Sequence, residues 1–243
     1  MKQGTSDLVL GIDEAGRGPI LGPLVMACVG LRPRQAASLT RAGVMDSKRF
    51  GAGEDAHAAR RQLAERIGAV AEHVRVTVID VAEVDDRTVR GQLNRLEQER
   101  ARALLQAAPP ARRIVCDGAR MFQPLVADWP MLEARDRGEE HHVAVAAASI
   151  LAKVRRDELF RKIAGRYAAD FGSFGGWGYL NAPTRQFLRA YIERHRDLPP
   201  EGRRSWPWDF ASDLLGEGFD PLAGFPELMA GRAVARPQLA LAL

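Results

Sequence analysis

Sulfur is scarce in this chain. Cys28 and Cys116 are the only cysteines among 243 residues. They lie far apart inside apolar runs, which excludes a disulfide framework and points to buried, reduced thiols. Long hydrophobic runs are missing too. The longest uncharged apolar stretch, residues 19–31, spans 13 residues and includes Gly and Pro, too short to cross a membrane. The polar start "MKQGTSD" lacks the apolar core of a secretory signal. A cytoplasmic protein with no membrane contact is the expectation. Histidine is also sparse, and His141-His142 has no Cys or further His at ligand spacing, so no zinc site is expected. Neither an internal repeat nor a long low-complexity tract is present.

With 46% hydrophobic and 27% charged residues, the composition is that of an ordinary globular protein. The length suits one large domain, or one domain with an appended lobe and tail. Charge is unevenly spread. Residues 151–206 carry twelve Lys/Arg against six Asp/Glu, whereas residues 207–243 hold two Arg against five acids. A nucleic-acid-facing lobe followed by an acidic tail would produce this pattern, and so would a solvated helical surface.

"LVLGID" (8–13) and "LVMACVG" (24–30) read as strands joined by a Gly/Pro-rich turn, that is, a hairpin. Residues 57–73 read as a helix, 74–80 as a strand, 89–108 as a helix closed by Pro109-Pro110, and 112–117 as a strand. Residues 131–136 suggest one more strand. A long helix is predicted from Val143 to Tyr167, then a Gly-rich aromatic loop (170–183) and a helix (184–196). Strands alternating with helices after an antiparallel hairpin indicate an α/β class with a mixed sheet flanked by helices.

Acids stand at three places where the pattern calls for apolar residues. Asp13-Glu14 close the first strand before the tight Gly16-Arg17-Gly18 turn. Asp117 ends the strand "RIVC" before Gly118, and Asp157 lies on the long helix along the stripe of Ile150 and Val154. Taken singly, Asp117 could be a turn former before glycine, and Asp157 could pair with Lys153 or Arg156 on a solvated edge. One metal site would explain all of these acids together. Oxygen-only clusters suit hard cations such as Mg²⁺, with Mn²⁺ as a close substitute, and two such ions about 4 Å apart can clamp both oxygens of an in-line phosphodiester cleavage. Strand alternation would send Asp13 and Glu14 to opposite faces, so a bend at the acids is expected, or a side chain reaching round the strand's end. "GRGPILG" is a poor dinucleotide fingerprint, because its third Gly comes one place late and Pro19 stands where the phosphate-cradling helix should start. A Gly-flanked Arg that lets a nucleic-acid backbone come close is the better use.

"GIDEAGRGPILGPLVMACV", "DSKRF" (46–50), "VCDG" (115–118) and "AAASILAKVRRDE" (146–158), in this order, resemble type 2 ribonuclease H, the ribonuclease HII family. "LNRLEQERARAL" (93–104) and "GWGYLNAPTRQFLRAYIERHRDLPPEGRRSW" (176–206) support the match, and the "LPP…RRSW" close is more like archaeal and eukaryotic members. The resemblance implies a ribonuclease H-like α/β core with a small helical C-terminal lobe. It implies an endonuclease that cuts RNA strands paired with DNA and single ribonucleotides within duplex DNA, with a pair of Mg²⁺ or Mn²⁺ ions, leaving 5′-phosphate and 3′-hydroxyl ends. Asp13, Glu14, Asp117 and Asp157 would then be the catalytic metal ligands. Gly16, Arg17 and Gly18 would recognise the ribose 2′-hydroxyl, Tyr179 would stack on the neighbouring deoxyribose, and Lys48 and Lys153 would lie near the phosphates. The chain departs from common bacterial members in its 40-residue gap from Asp117 to Asp157 and in Leu180-Asn181. Residues 51–59 have no assigned role.

The expected organisation is a catalytic core over residues 1–167, a helical substrate-binding lobe over 168–210, and a flexible tail over 211–243. The last six residues, "QLALAL", resemble the QLxLxL peptide with which bacterial replication and repair proteins engage the sliding clamp. Gln238, Leu239, Leu241 and Leu243 would be its anchors, although a Leu/Ala-rich end has the same appearance. A monomer is expected. The rival readings are a non-catalytic protein that binds RNA/DNA hybrids, and another ribonuclease H-like nuclease that acts on DNA.

Overall fold

A computed structural model describes residues 7–45, 51, 53–216, 220–223 and 225–232. Among these, five strands form one sheet in the order β3-β2-β1-β4-β5. β1 (Val9–Ala15) and β2 (Leu24–Leu31) pair antiparallel in the predicted hairpin. β1 is parallel to β4 (Arg113–Asp117), and β4 is parallel to β5 (Leu132–Arg135). β3 (His73–Ile79) closes the other edge. β2 is buried along its whole length, as its unbroken apolar run requires.

The helices are α1 (Pro33–Arg41), α2 (Glu54–Val70), α3 (Val81–Val89), α4 (Leu93–Gln106), α5 (Ala119–Phe122), α6 (Val143–Phe171), α7 (Ala182–His195), α8 (Ser212–Leu215) and α9 (Pro226–Arg232). Local chemistry sets several of their ends. Asp80 caps α3 by accepting from the Glu83 N–H at 2.8 Å. Asn181 caps α7, whose first turn carries Pro183, and the helix stops where Arg196 turns left-handed at φ 55°. The predicted helix over 89–108 is α4, which starts only at Leu93, past the turn where Gly91 has φ 68°.

The chain divides into two compact units that interleave along the sequence. The first comprises Met1–Ala15, Val25–Val78 and Glu97–Arg156. The second comprises Gly16–Leu24, Ile79–Leu96 and Asp157–Leu243. In the first unit the Ala-rich start of α6 lies directly on β1. A Cβ on Gly11 would come within 2.2 Å of the Ala144 carbonyl carbon, so only glycine permits this approach. The second unit is built on a cluster of Phe160, Ile163, Phe187, Leu188, Ile192 and Trp208, with Tyr167, Phe171 and Phe174 packed against it. Residues beyond 210, expected as a tail, supply α8 and α9, and Leu222 and Leu228 bury against Val89 of α3. Leu222 and Leu228, with Phe225 beside them, are enough to seat the described part of that stretch.

Candidate active site

β1 does not bend at its acids. Its register with β2 continues through Asp13↔Ala27 and Glu14↔Met26 to Ala15↔Val25. On the other side β1 and β4 pair in parallel up to Ile12↔Cys116, which puts Asp13 and Asp117 one step further on in neighbouring strands, about 4.8 Å apart in the sheet direction. Parallel register is thus what brings together two acids 104 positions apart in the sequence.

Asp13 is 6% exposed. Burial, reinforced by the Glu14 charge, pushes its pKa up to about 7, while the Ser149 hydroxyl, the Lys153 ammonium and the Glu14 N–H act in the opposite direction. The Glu14 N–H donates to Asp13 Oδ1 at 2.8 Å, and Lys153 Nζ donates to Ser149 Oγ at 2.9 Å. Asp117 is also raised to about 7, by burial first, then by a side-chain hydrogen bond with Glu139 and by the Asp13 and Glu139 charges. The Gly138 N–H, at 3.1 Å from Asp117 Oδ1, opposes the rise. Within this unit, then, β1, β4, the turn before α6 and α6 itself deliver Asp13, Glu14, Asp117, Glu139, Ser149 and Lys153 to one neighbourhood. Cys28 and Cys116 are buried beneath it, and burial pushes the Cys28 thiol up to about 12 and the Cys116 thiol higher still. Both are inert at neutral pH.

Asp157 opens the second unit. It is buried, 8% exposed, and sits four residues beyond Lys153 on α6, so Ser149, Lys153 and Asp157 follow one another along a single stripe of that helix. Among the described residues no three His, Cys, Asp or Glu are gathered as tightly as a formed metal centre. The donor set nonetheless suits a hard cation: carboxylate oxygens only, with burial raising two of the carboxyls to a pKa of about 7.

The Gly16-Arg17-Gly18 turn follows β1 and belongs to the second unit. Gly16 has φ 94°, a conformation that favours glycine. The Arg17 side chain is bound by Asn94 Oδ1. Tyr179 is 51% exposed, and its ring edge lies 3.6 Å from where a Cβ on Gly18 would stand. The backbone behind Tyr179 is braced: Trp177 is left-handed at φ 54°, and the Gly178 carbonyl accepts from the Ile20 and Leu21 N–H groups at 2.9 and 3.2 Å. Lys48 and the segment Gln238–Leu243 lie outside the described residues.

Sequence reasoning missed Ser149, Glu139, Asn94, Asp85 and Arg203. Ser149 left a trace, as the one polar residue in the run "AVAAASILA". Glu139, in "RGEEHH", and Asp85, in "EVDDR", read as ordinary surface acids.

A mixed sheet whose central parallel strands end in carboxylates, Asp13 buried and Asp117 half-buried, is the arrangement of the ribonuclease H-like hydrolases. The family model described as ribonuclease HII matches residues 10–207. The chain is 35% identical to ribonuclease HII of Pyrococcus furiosus over 206 residues, 81% of this chain and 87% of that protein. It is 36% identical to that of Methanothermobacter thermautotrophicus over 208 residues, 82% and 95%. Among solved structures, ribonuclease H2 of Pyrococcus horikoshii OT3 superposes with a TM-score of 0.72 at 28% identity, covering 86% of this chain and 97% of that one. Ribonuclease HII of Archaeoglobus fulgidus, solved in complex with PCNA, gives 0.68 at 30% identity, covering 82% and 95%. The chain belongs to the ribonuclease HII family, and it is a metal-dependent ribonuclease H-type endonuclease.

Proposed function

We infer that this enzyme cuts the RNA strand of RNA/DNA hybrids and cuts beside single ribonucleotides embedded in duplex DNA. The observation that carries this reading is the pair Asp13, buried, and Asp117, half-buried, at the ends of neighbouring strands β1 and β4, with Ser149 and Lys153 of α6 facing Asp13. Asp13, Glu14, Asp117 and Asp157 would hold a pair of Mg²⁺ or Mn²⁺ ions, which when bound supply activation of water and charge neutralisation at the scissile phosphate. The chain's own groups do the rest. Ser149 and Lys153 hold the Asp13 carboxyl in place and oppose the rise that burial imposes on its pKa, and Glu139 and the Gly138 N–H hold Asp117. The Gly16-Arg17-Gly18 turn reads the 2′-hydroxyl, the feature that separates RNA from DNA. Tyr179, half-exposed beside Gly18, offers a ring face to the adjoining deoxyribose, and Lys48 approaches a phosphate. Cleavage leaves 5′-phosphate and 3′-hydroxyl ends. The enzyme acts as a monomer in the cytoplasm, and Gln238, Leu239, Leu241 and Leu243 attach it to a bacterial sliding clamp.

The test is to incubate the protein with a uniform hybrid and with a DNA duplex carrying one ribonucleotide, in Mg²⁺, Mn²⁺ or EDTA, comparing wild type with Asp117→Asn. Both substrates are cut by wild type in either metal, and neither in EDTA nor by the variant. Cleavage that survives chelation, or equal cutting of an all-DNA duplex, would overturn the reading.

A further inference from the structure

Arg203 is fully buried. Removing a guanidinium from water costs several kcal/mol unless its donors are met, and apolar packing would stabilise the lobe more cheaply. Three backbone carbonyls meet those donors. Nε donates to Gly22 O at 3.0 Å, Nη1 to Arg17 O at 2.9 Å, and Nη2 to Gly16 O. The Arg203 N–H adds a bond to Ile20 O at 2.8 Å. Trp206, whose ring lies 4.7 Å from the Arg203 guanidinium carbon, donates its indole N–H to Gly18 O at 3.1 Å. The segment that carries both residues is anchored in turn by the buried Asp85 carboxylate, which accepts from the Arg204 N–H, the Ser205 N–H and the Ser205 hydroxyl, and which also feels the Arg203 charge.

These bonds fix the faces of the turn. A trans peptide directs its C=O and the following N–H to opposite sides. With the carbonyls of Gly16 and Arg17 held on the Arg203 side, the amides of Arg17 and Gly18 are directed to the other, and after Gly18 comes Pro19, which has no N–H. The turn thereby presents two adjacent donors on one face and no acceptor among its first three carbonyls.

We propose that Arg203, assisted by Trp206, is a positioning residue that locks the Gly16-Arg17-Gly18 peptides with their amides toward the ribose, and that this rigidity sets discrimination between ribose and deoxyribose. The inference rests on the functional reading above and deepens it. Donors that cannot turn away lose a partner when the 2′-oxygen is missing, and a site built to bond a hydroxyl rejects the analogue lacking it far more strongly than a pliable one. A loosened turn can satisfy its amides in other ways, so discrimination falls while affinity for plain DNA is kept.

The experiment measures equilibrium binding in EDTA to two duplexes that differ only in one ribonucleotide, for wild type, Arg203→Lys and Trp206→Phe, with cleavage constants for the ribonucleotide substrate in Mg²⁺ alongside. The expected result is a loss of about tenfold in the preference for the ribonucleotide duplex in each variant, the size of one net hydrogen bond, with all-DNA affinity within about twofold and a cooperative melt retained. A folded variant with the wild-type preference would overturn the proposal, as would parallel loss of both affinities, which marks a merely structural role. Should Arg203→Lys fail to fold, Trp206→Phe, which keeps its ring in the cluster, carries the test alone. Wild type that cuts hybrids yet shows no preference between the duplexes overturns the inference while leaving the nuclease reading standing. Wild type that cuts nothing overturns both.

Discussion

A carboxyl group with little water around it and a second carboxylate nearby keeps its proton to higher pH. Asp13 and Asp117 do so, with values near 7 against 3.8 in an unfolded chain. Between those limits the folded protein binds more protons than the unfolded one, so the stability these groups contribute is greatest below about pH 4 and is lost as pH rises through about 7. In EDTA the melting temperature is therefore expected to fall by about 5 °C or more between pH 5 and pH 8. Asp13→Asn should melt higher than wild type at pH 8 and show a flatter pH profile, and Mg²⁺ should restore wild type but not the variant. The same substitution should reduce cleavage at least about a thousandfold if, as proposed, Asp13 is one of the groups that hold the ions. Scanning calorimetry across pH checks the first outcome and single-turnover kinetics the second. A wild-type melting temperature that rises with pH in EDTA would contradict the assignment.

Strand register and one helix build the neighbourhood of Asp13 and Asp117, and their legibility differed. β1, β2, β4 and α6 could be read from apolar runs and from the Ala-rich helix pattern, and the acids stood out because each interrupted such a run. α1 and α3 were missed. Each is nine residues long, α1 buries only Leu39, and the valines of α3 give it a strand-like composition. The partners of Asp13 and Asp117 were harder still, because Ser149 and Glu139 acquire meaning only once β1, β4 and α6 are side by side. The bend expected at Asp13-Glu14 is absent because pairing with Ala27 and Met26 holds the strand straight. Gly11 is where two elements depend on a missing side chain. Gly11→Ala would place a methyl 2.2 Å from the Ala144 backbone, so it should drive α6 off β1 and destabilise the fold by about 3 kcal/mol or more. Chemical denaturation measures this, and a change below about 1 kcal/mol would show that α6 does not lie on β1 as described.

Over the whole molecule, the cationic surplus of residues 151–206 is less available than the sequence suggested. Arg166, Arg189, Arg194 and Arg204 are engaged by Glu201, Asp213, Asp170 and Asp197, and Arg203 is buried. A hybrid-binding constant should accordingly fall with salt at a logarithmic slope no steeper than about −6, rather than the roughly −10 that the raw count implies. Anisotropy titrations at several salt concentrations give the slope. Removal of residues 238–243 should abolish sliding-clamp binding in a pull-down while hybrid cleavage stays at the wild-type rate, and unchanged clamp binding would remove the tail from the account. The central proposal is that Asp13, Glu14, Asp117 and Asp157 each contribute to divalent-ion binding. Calorimetric titration of Mn²⁺ into wild type, Asp13→Asn, Asp117→Asn and Asp157→Asn tests it most directly. The prediction is at least about tenfold weaker binding in every variant; wild-type Mn²⁺ affinity in Asp157→Asn would contradict the claim.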